Sequence, residues 1–193
     1  MKRVLLLLAD GFEAFEGTAF TDVFGWADTY GIERIELVTA AMHPQLCCTF
    51  GFQVIPDMQL NEVTVETFDA LAIPGGFETA GFYDDAYSEE FLDIIRKFMD
   101  EGKPIASICV GALPLAKSGI LVGRRATTYH LLGGRRRKQL AEMGVEVVDA
   151  PIVREGNVIT STSPATAIDV ALVLLEMLTS RENANKIREL MGF

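Results

Sequence analysis

Ser107-Ile108-Cys109-Val110-Gly111 sets a lone cysteine where an apolar strand must turn abruptly into a helix. Lys103 to Ile108, led by Pro104, reads as a short interior parallel strand, and Ala112-Leu113-Pro114-Leu115-Ala116 as the first turns of a helix. Small residues two before the cysteine (Ser107) and two after it (Gly111) are what a nucleophile elbow needs, because the chain crowds itself there. The pattern is G-x-S-x-G with sulfur in place of oxygen. Unpaired N–H groups at a helix start favour thiolate, and such sites lower a cysteine pKa from about 8.5 to roughly 3.5–7.5. A buried core cysteine satisfies the pentapeptide equally well.

Carboxylates form the second candidate group. In Asp10-Gly11-Phe12-Glu13-Ala14-Phe15-Glu16-Gly17 either glutamate could enter a site. Glu16 stands near the start of a helix whose apolar face runs through Phe20, Val23, Phe24 and Ala27, so it can project inward or cap the helix in solvent. Two unit charges about 4 Å apart cost about 4 kcal/mol at an effective dielectric near 20, or roughly three pKa units. A Glu16–Cys109 pair therefore shares a proton, with pKa values that belong to the pair. Ile73-Pro74-Gly75-Gly76 closes another strand, and its paired glycines either make a plain turn or let backbone N–H groups approach a ligand. Gly76 and Val110 amides would then form an oxyanion hole for a carbonyl attacked by Cys109. Of the two histidines, His43 has no evident role, whereas His130, after Ala126-Thr127-Thr128-Tyr129, is a candidate general base or an ordinary exposed residue.

Positioning these groups requires strand ends. Apolar runs near 3–9, 34–39, 70–73, 105–108 and 157–160 alternate with helical patterns near 16–30, 88–101 and 165–180. This rhythm predicts an α/β fold: a mostly parallel sheet between helical layers, with ligands at the carboxyl ends of the strands. Segments near 50–55, 126–128 and 145–154 are expected as edge strands and a hairpin around Glu155-Gly156-Asn157. With 193 residues, 49% hydrophobic and 23% charged, one domain is expected. A net charge of −10 argues against nucleic acid as a partner; Arg135-Arg136-Arg137-Lys138 reads as a solvated helix face. The apolar run Val4 to Ala9 is too short for a secretory signal, and no segment approaches a membrane span. Three cysteines match neither a disulfide framework nor a zinc spacing, so a cytoplasmic, metal-free protein is expected, with Cys47 and Cys48 structural or oxidisable.

Together these residues resemble the ThiJ/PfpI superfamily, and within it the branch of the parkinsonism-associated deglycase. The marks are Val4 to Ala9 with Gly11 and Glu16, Ala72 to Gly76, Ile105 to Cys109, Ala126-Thr127-Thr128, and Ile159-Thr160-Ser161 with Pro164 to Asp169. The resemblance implies a flavodoxin-like three-layer sandwich, a homodimer, no cofactor, and a protonated acid at Glu16 bonded to a reactive Cys109. It implies cysteine-dependent chemistry on small carbonyl or glycated substrates, with oxidation sensing or chaperone-like activity through Cys109 sulfinate as the alternative and isocyanide hydration as a lesser one. Gly75, Gly76, Val110 and Tyr129 are the expected oxyanion and substrate contacts. The chain also departs from the pattern. Val110 replaces the histidine that follows the cysteine in the protease branch. Tyr129 takes the place of the deglycase histidine, with His130 one residue later. Phe50 replaces a pocket arginine, and Ser163-Pro164-Ala165 replaces Gly-Pro-Gly. These changes predict a less cationic pocket.

Overall fold

The computed structural model describes residues 1–193. In chain order the elements are β1 (Lys2–Leu8), α1 (Ala14–Tyr30), β2 (Ile35–Ala41), β3 (Leu46–Cys47), β4 (Gln53–Val54), β5 (Met58–Gln59), β6 (Ala70–Ile73), α2 (Phe82–Ala86), α3 (Glu89–Asp100), β7 (Ile105–Ser107), α4 (Ala112–Lys117), β8 (Arg125–Ala126), α5 (Arg135–Glu142), β9 (Glu146–Val147), β10 (Ile152–Glu155), β11 (Val158–Ser161), α6 (Ala167–Leu178) and α7 (Arg181–Met191). The main sheet runs β10-β11-β7-β6-β1-β2-β5. Every pairing is parallel except the β10–β11 hairpin, which forms at the expected Gly156 turn.

Strands β1, β6 and β7 are buried almost throughout, because helices cover both faces of a parallel sheet. The crossover from β1 to β2 and that from β6 to β7 run in opposite directions from the centre, so right-handed connections put α1 and α3 on opposite faces. Helices α1, α6 and α7 pack against one another on one side, and α3 and α4 on the other. A continuous cluster of 54 buried apolar residues fills the space between. It fixes the carboxyl ends of β1, β6 and β7 side by side, and these are the strands that lead to Asp10, Pro74 and Cys109.

Two expectations need correction. The segments near 50–55 and 126–128 do not extend the main sheet: β3 pairs with β4, and β8 with β9, as separate two-stranded units. The outer strand beyond β2 is instead β5, held by only two residue pairs. A further helix, α7, follows α6 where no element was expected. Ser180 caps it by accepting from Asn183 N–H at 3.2 Å, and Ile187 is buried on its inner side.

Candidate active site

Glu16 heads the buried stripe of α1, with Phe20, Val23, Phe24 and Ala27 one, two and three turns below it. That spacing carries its side chain to the sheet centre, where it is 0% exposed. Oε2 accepts the Gly75 N–H at 2.6 Å, and Oε1 is buried without a hydrogen-bond partner. Burial outweighs that single bond and pushes Glu16 up to about 8; the nearby Glu13 charge adds to the rise. Burial thus favours the protonated carboxyl at neutral pH.

Cys109 has φ = 56°, a left-handed backbone in a residue other than glycine. Such strain persists only where surroundings impose it. Here Ile108 N–H bonds Ile73 O at 3.1 Å, Gly111 N–H bonds Ile108 O at 2.8 Å, and the buried Thr128 hydroxyl donates to Cys109 O at 2.8 Å. A side chain at Gly111 would place its Cβ 2.9 Å from Ile73 O, so the close approach of the elbow to β6 needs glycine. The expected abrupt turn is therefore present.

The thiol's electrostatics differ from the expectation of a depressed pKa. Burial pushes Cys109 up, the Glu16 charge pushes it further, and the Val110 N–H is the one group pulling it down. The six-residue helix α4 and the single-turn Cys109–Gly111 segment ahead of it do not offset desolvation. The Glu16 charge raises Cys109, and the side-chain contact between them raises Cys109 further while lowering Glu16, so they behave as one titrating pair.

A cavity of about 480 Å³, within the usual range for small-molecule sites, opens over Cys109, with Glu16 buried behind it; Glu13, Gly76, Phe77, Glu78, Cys109, Val110, Tyr129, Leu131, Leu132, Arg136 and Ser163 to Ala165 line it. Gly76 and Val110 thus line the cavity together with Cys109. Gly75 does not serve as an oxyanion donor, because its N–H is taken by Glu16; a Cβ there would lie 2.8 Å from Glu16 Oε2 and 3.0 Å from Val110 N. Its role is to let carboxyl and elbow meet. Tyr129 lines the cavity and His130 does not. His130 instead keeps its Nδ1 buried and without a hydrogen-bond partner away from the cavity. His43, left without a role by the sequence, meets Asp85 at 2.9 Å; Asp85 in turn accepts Asp10 N–H at 2.8 Å and so secures the loop after β1.

Arg136 was missed as a site residue. Its side chain is 16% exposed, bound to Glu78 at 3.0 Å and lying 5.1 Å from the Tyr83 ring centre. The run it belongs to is therefore not uniformly solvated. The available signal was electrostatic: consecutive arginines in the first turn of a helix oppose its dipole and must be held by something outside it.

The sequence pattern of the DJ-1/PfpI family matches residues 2–177. The chain belongs to the DJ-1/PfpI family. Among family relatives, protein DJ-1alpha of Drosophila melanogaster is 32% identical over 193 residues, covering 98% of this chain and 83% of its own. A deglycase of Pyrococcus abyssi is 33% identical over 168 residues, covering 84% and 90%. The crystal structure of Drosophila melanogaster DJ-1beta superposes with a TM-score of 0.86 at 29% identity, covering 98% of this chain and 97% of that one. The three-layer architecture is that of the DJ-1 structures. No helix is long and apolar enough to cross a membrane.

Proposed function

We propose that this DJ-1/PfpI chain is a cofactor-independent enzyme that acts on small reactive carbonyls through Cys109 and Glu16. The observation that carries the reading is the fully buried Glu16 carboxyl, raised to about 8, coupled to a cysteine on a strained elbow. A general base works best when its pKa lies near the operating pH. The ionised fraction of Glu16 takes the Cys109 proton as sulfur attacks the aldehyde carbon, so thiolate forms in step with the bond rather than in advance. The carbonyl electron pair moves to oxygen, which Gly76 and Val110 N–H groups stabilise. Glu16 returns its proton to that oxygen and leaves a hemithioacetal.

With methylglyoxal, removal of the aldehyde hydrogen and reprotonation at the neighbouring carbon oxidise the first carbon to a thioester and reduce the ketone to an alcohol. Water then releases lactate and restores the thiol. Glycated amines or thiols join the sequence at the hemithioacetal: Cys109 sulfur bonds to the adduct carbon as its bond to the amine or thiol breaks, and the departing group leaves with the thiol proton, an extension that the relatives named deglycases support. Oxidation sensing is the weaker reading, because sulfur oxidation follows thiolate character and burial opposes thiolate here. Lactate formation from methylglyoxal by wild type and Cys109→Ala tests the proposal. Loss of at least a hundredfold in the variant is expected; equal rates overturn it.

A further inference from the structure

The cavity wall holds one cation, and its setting points to the substrate. Arg136 is the only basic residue lining the space above Cys109. Its guanidinium is fixed on three sides: Nη2 to Glu78 at 3.0 Å, Nη1 to Gln139 Oε1 at 2.9 Å, and one face toward Tyr83. Five N–H donors on a planar fork leave several free after these contacts. Glu78 does not cancel the charge, because the same carboxylate also binds Arg135 at 2.9 Å. Two guanidinium groups share one carboxylate, a surplus of one positive charge at the rim. Glu13, the other acid on the wall, offsets that surplus over the lining as a whole but forms no ion pair with Arg136, whose one carboxylate partner is the shared Glu78. The rest of the lining is mostly apolar, including Phe77, Leu131, Leu132 and Pro164, so away from the Gly76 and Val110 amides a ligand carboxylate has one cationic side chain to meet.

The local sequence makes the same point. Gly133 and Gly134 adopt left-handed conformations, as does Leu132 at φ = 52°, and they deliver Arg135 and Arg136 into the first turn of α5. Cations are unfavourable there. A chain that breaks a local rule and anchors the offending group with a dedicated carboxylate has used the position for a purpose.

We infer that Arg136 selects carbonyl substrates that carry a carboxylate remote from the reacting aldehyde, the guanidinium binding the carboxylate while Cys109 meets the carbonyl. The inference rests on the carbonyl chemistry proposed above and narrows its substrate class. A suitable probe is 4,5-dioxopentanoate, an α-oxo aldehyde with a terminal carboxylate. The aldehyde carbon is oxidised to a carboxylate, the adjacent ketone is reduced to a hydroxyl, and water supplies the oxygen, giving 2-hydroxyglutarate with no other reactant.

The experiment compares kcat/KM for 4,5-dioxopentanoate and methylglyoxal in wild type, Arg136→Gln and Arg136→Lys, with melting curves to check folding. Wild type is expected to favour the anion at least tenfold. Arg136→Gln should lower that ratio about thirtyfold, mainly through KM, and Arg136→Lys should fall between. A wild type without preference, or a ratio unmoved in Arg136→Gln, overturns the inference. Should wild type turn over neither aldehyde, the carbonyl reading fails by itself, and protection of Cys109 from iodoacetamide, read by peptide mass, decides the rest. Stronger protection by 4-oxopentanoate than by neutral 2-pentanone, with the difference lost in Arg136→Gln, upholds the anion site; equal protection rejects it.

Discussion

Glu16 and Cys109 are two acids in one dry space, and the order in which they lose protons decides what each can do. Burial raises both, and the Glu16 charge raises Cys109 further. Replacing Glu16 by Gln keeps an oxygen for the Gly75 N–H and removes the charge. Two opposite effects are expected in Glu16→Gln: carbonyl turnover falls at least a hundredfold, because the base is gone, while the alkylation midpoint of Cys109 moves to lower pH, because a neighbouring anion is gone. Iodoacetamide rates from pH 6 to 10 check this, and an unmoved or raised midpoint would show that the two groups do not interact. Gly75→Ala tests the same pair sterically. Its Cβ would press on Glu16 Oε2 and Val110 N, so turnover should drop at least tenfold at a stability cost of about 1–3 kcal/mol, measured by denaturant unfolding. Glu16 was legible in the sequence because the spacing from 16 to 27 carries it onto the apolar stripe of α1. His130 was not, since one residue of rotation along an irregular segment decides whether Tyr129 or His130 faces the cavity, and no periodicity exists there to count.

At the scale of elements, the site is the meeting of three strand ends, and its geometry is inherited from strand order. Continuous apolar runs announced β1, β6, β7 and β11, and the small residues around Cys109 announced the elbow. The two-residue strands β3, β4, β8 and β9 carry too little pattern to show which partner they choose, and the polar residues of α7 obscured its inner face around Ala184 and Ile187. The element most exposed to a single change is the elbow itself, whose left-handed Cys109 is held at its carbonyl by Thr128. Thr128→Val keeps the shape and removes a buried hydrogen bond, leaving that carbonyl without this donor. A loss of about 1–3 kcal/mol is expected. Turnover should fall more than stability alone explains, since the nucleophile loses its orientation; urea unfolding together with kcat on the folded fraction separates the two effects. Activity scaling only with folded protein would mean that the strain is maintained without Thr128.

For the whole molecule, a neutral acid at the sheet centre sets how stability responds to pH. In the unfolded chain Glu16 ionises near 4.5; in the folded protein it holds its proton to about 8. Between those values the native state binds one proton more than the unfolded state, so the slope of stability with pH is negative, about 1.4 kcal/mol per unit from this group. The accumulated loss by pH 8 is several kcal/mol, and Glu13, also raised by burial, acts in the same direction. Asp69, Glu78 and Asp149 are lowered in the folded state; what they add is present above their unfolded pKa values and fades as the solution becomes more acidic. The two trends cross in mildly acidic solution. The melting temperature is therefore expected to peak near pH 5 and to decline steadily toward pH 8, the direction in which the self-repulsion of a chain with a net charge of −10 at neutral pH also acts. Self-repulsion alone would also favour the acidic side, so wild type by itself does not discriminate. Glu16→Gln does: it alters net charge by at most one unit yet removes the buried titration, and calorimetry from pH 5 to 8 should show a clearly flatter decline with the variant gaining on wild type at the alkaline end. Parallel curves for the two proteins would mean that Glu16 is already ionised at neutral pH, and the proton that the proposed chemistry passes between Cys109 and the substrate oxygen would have to come from elsewhere.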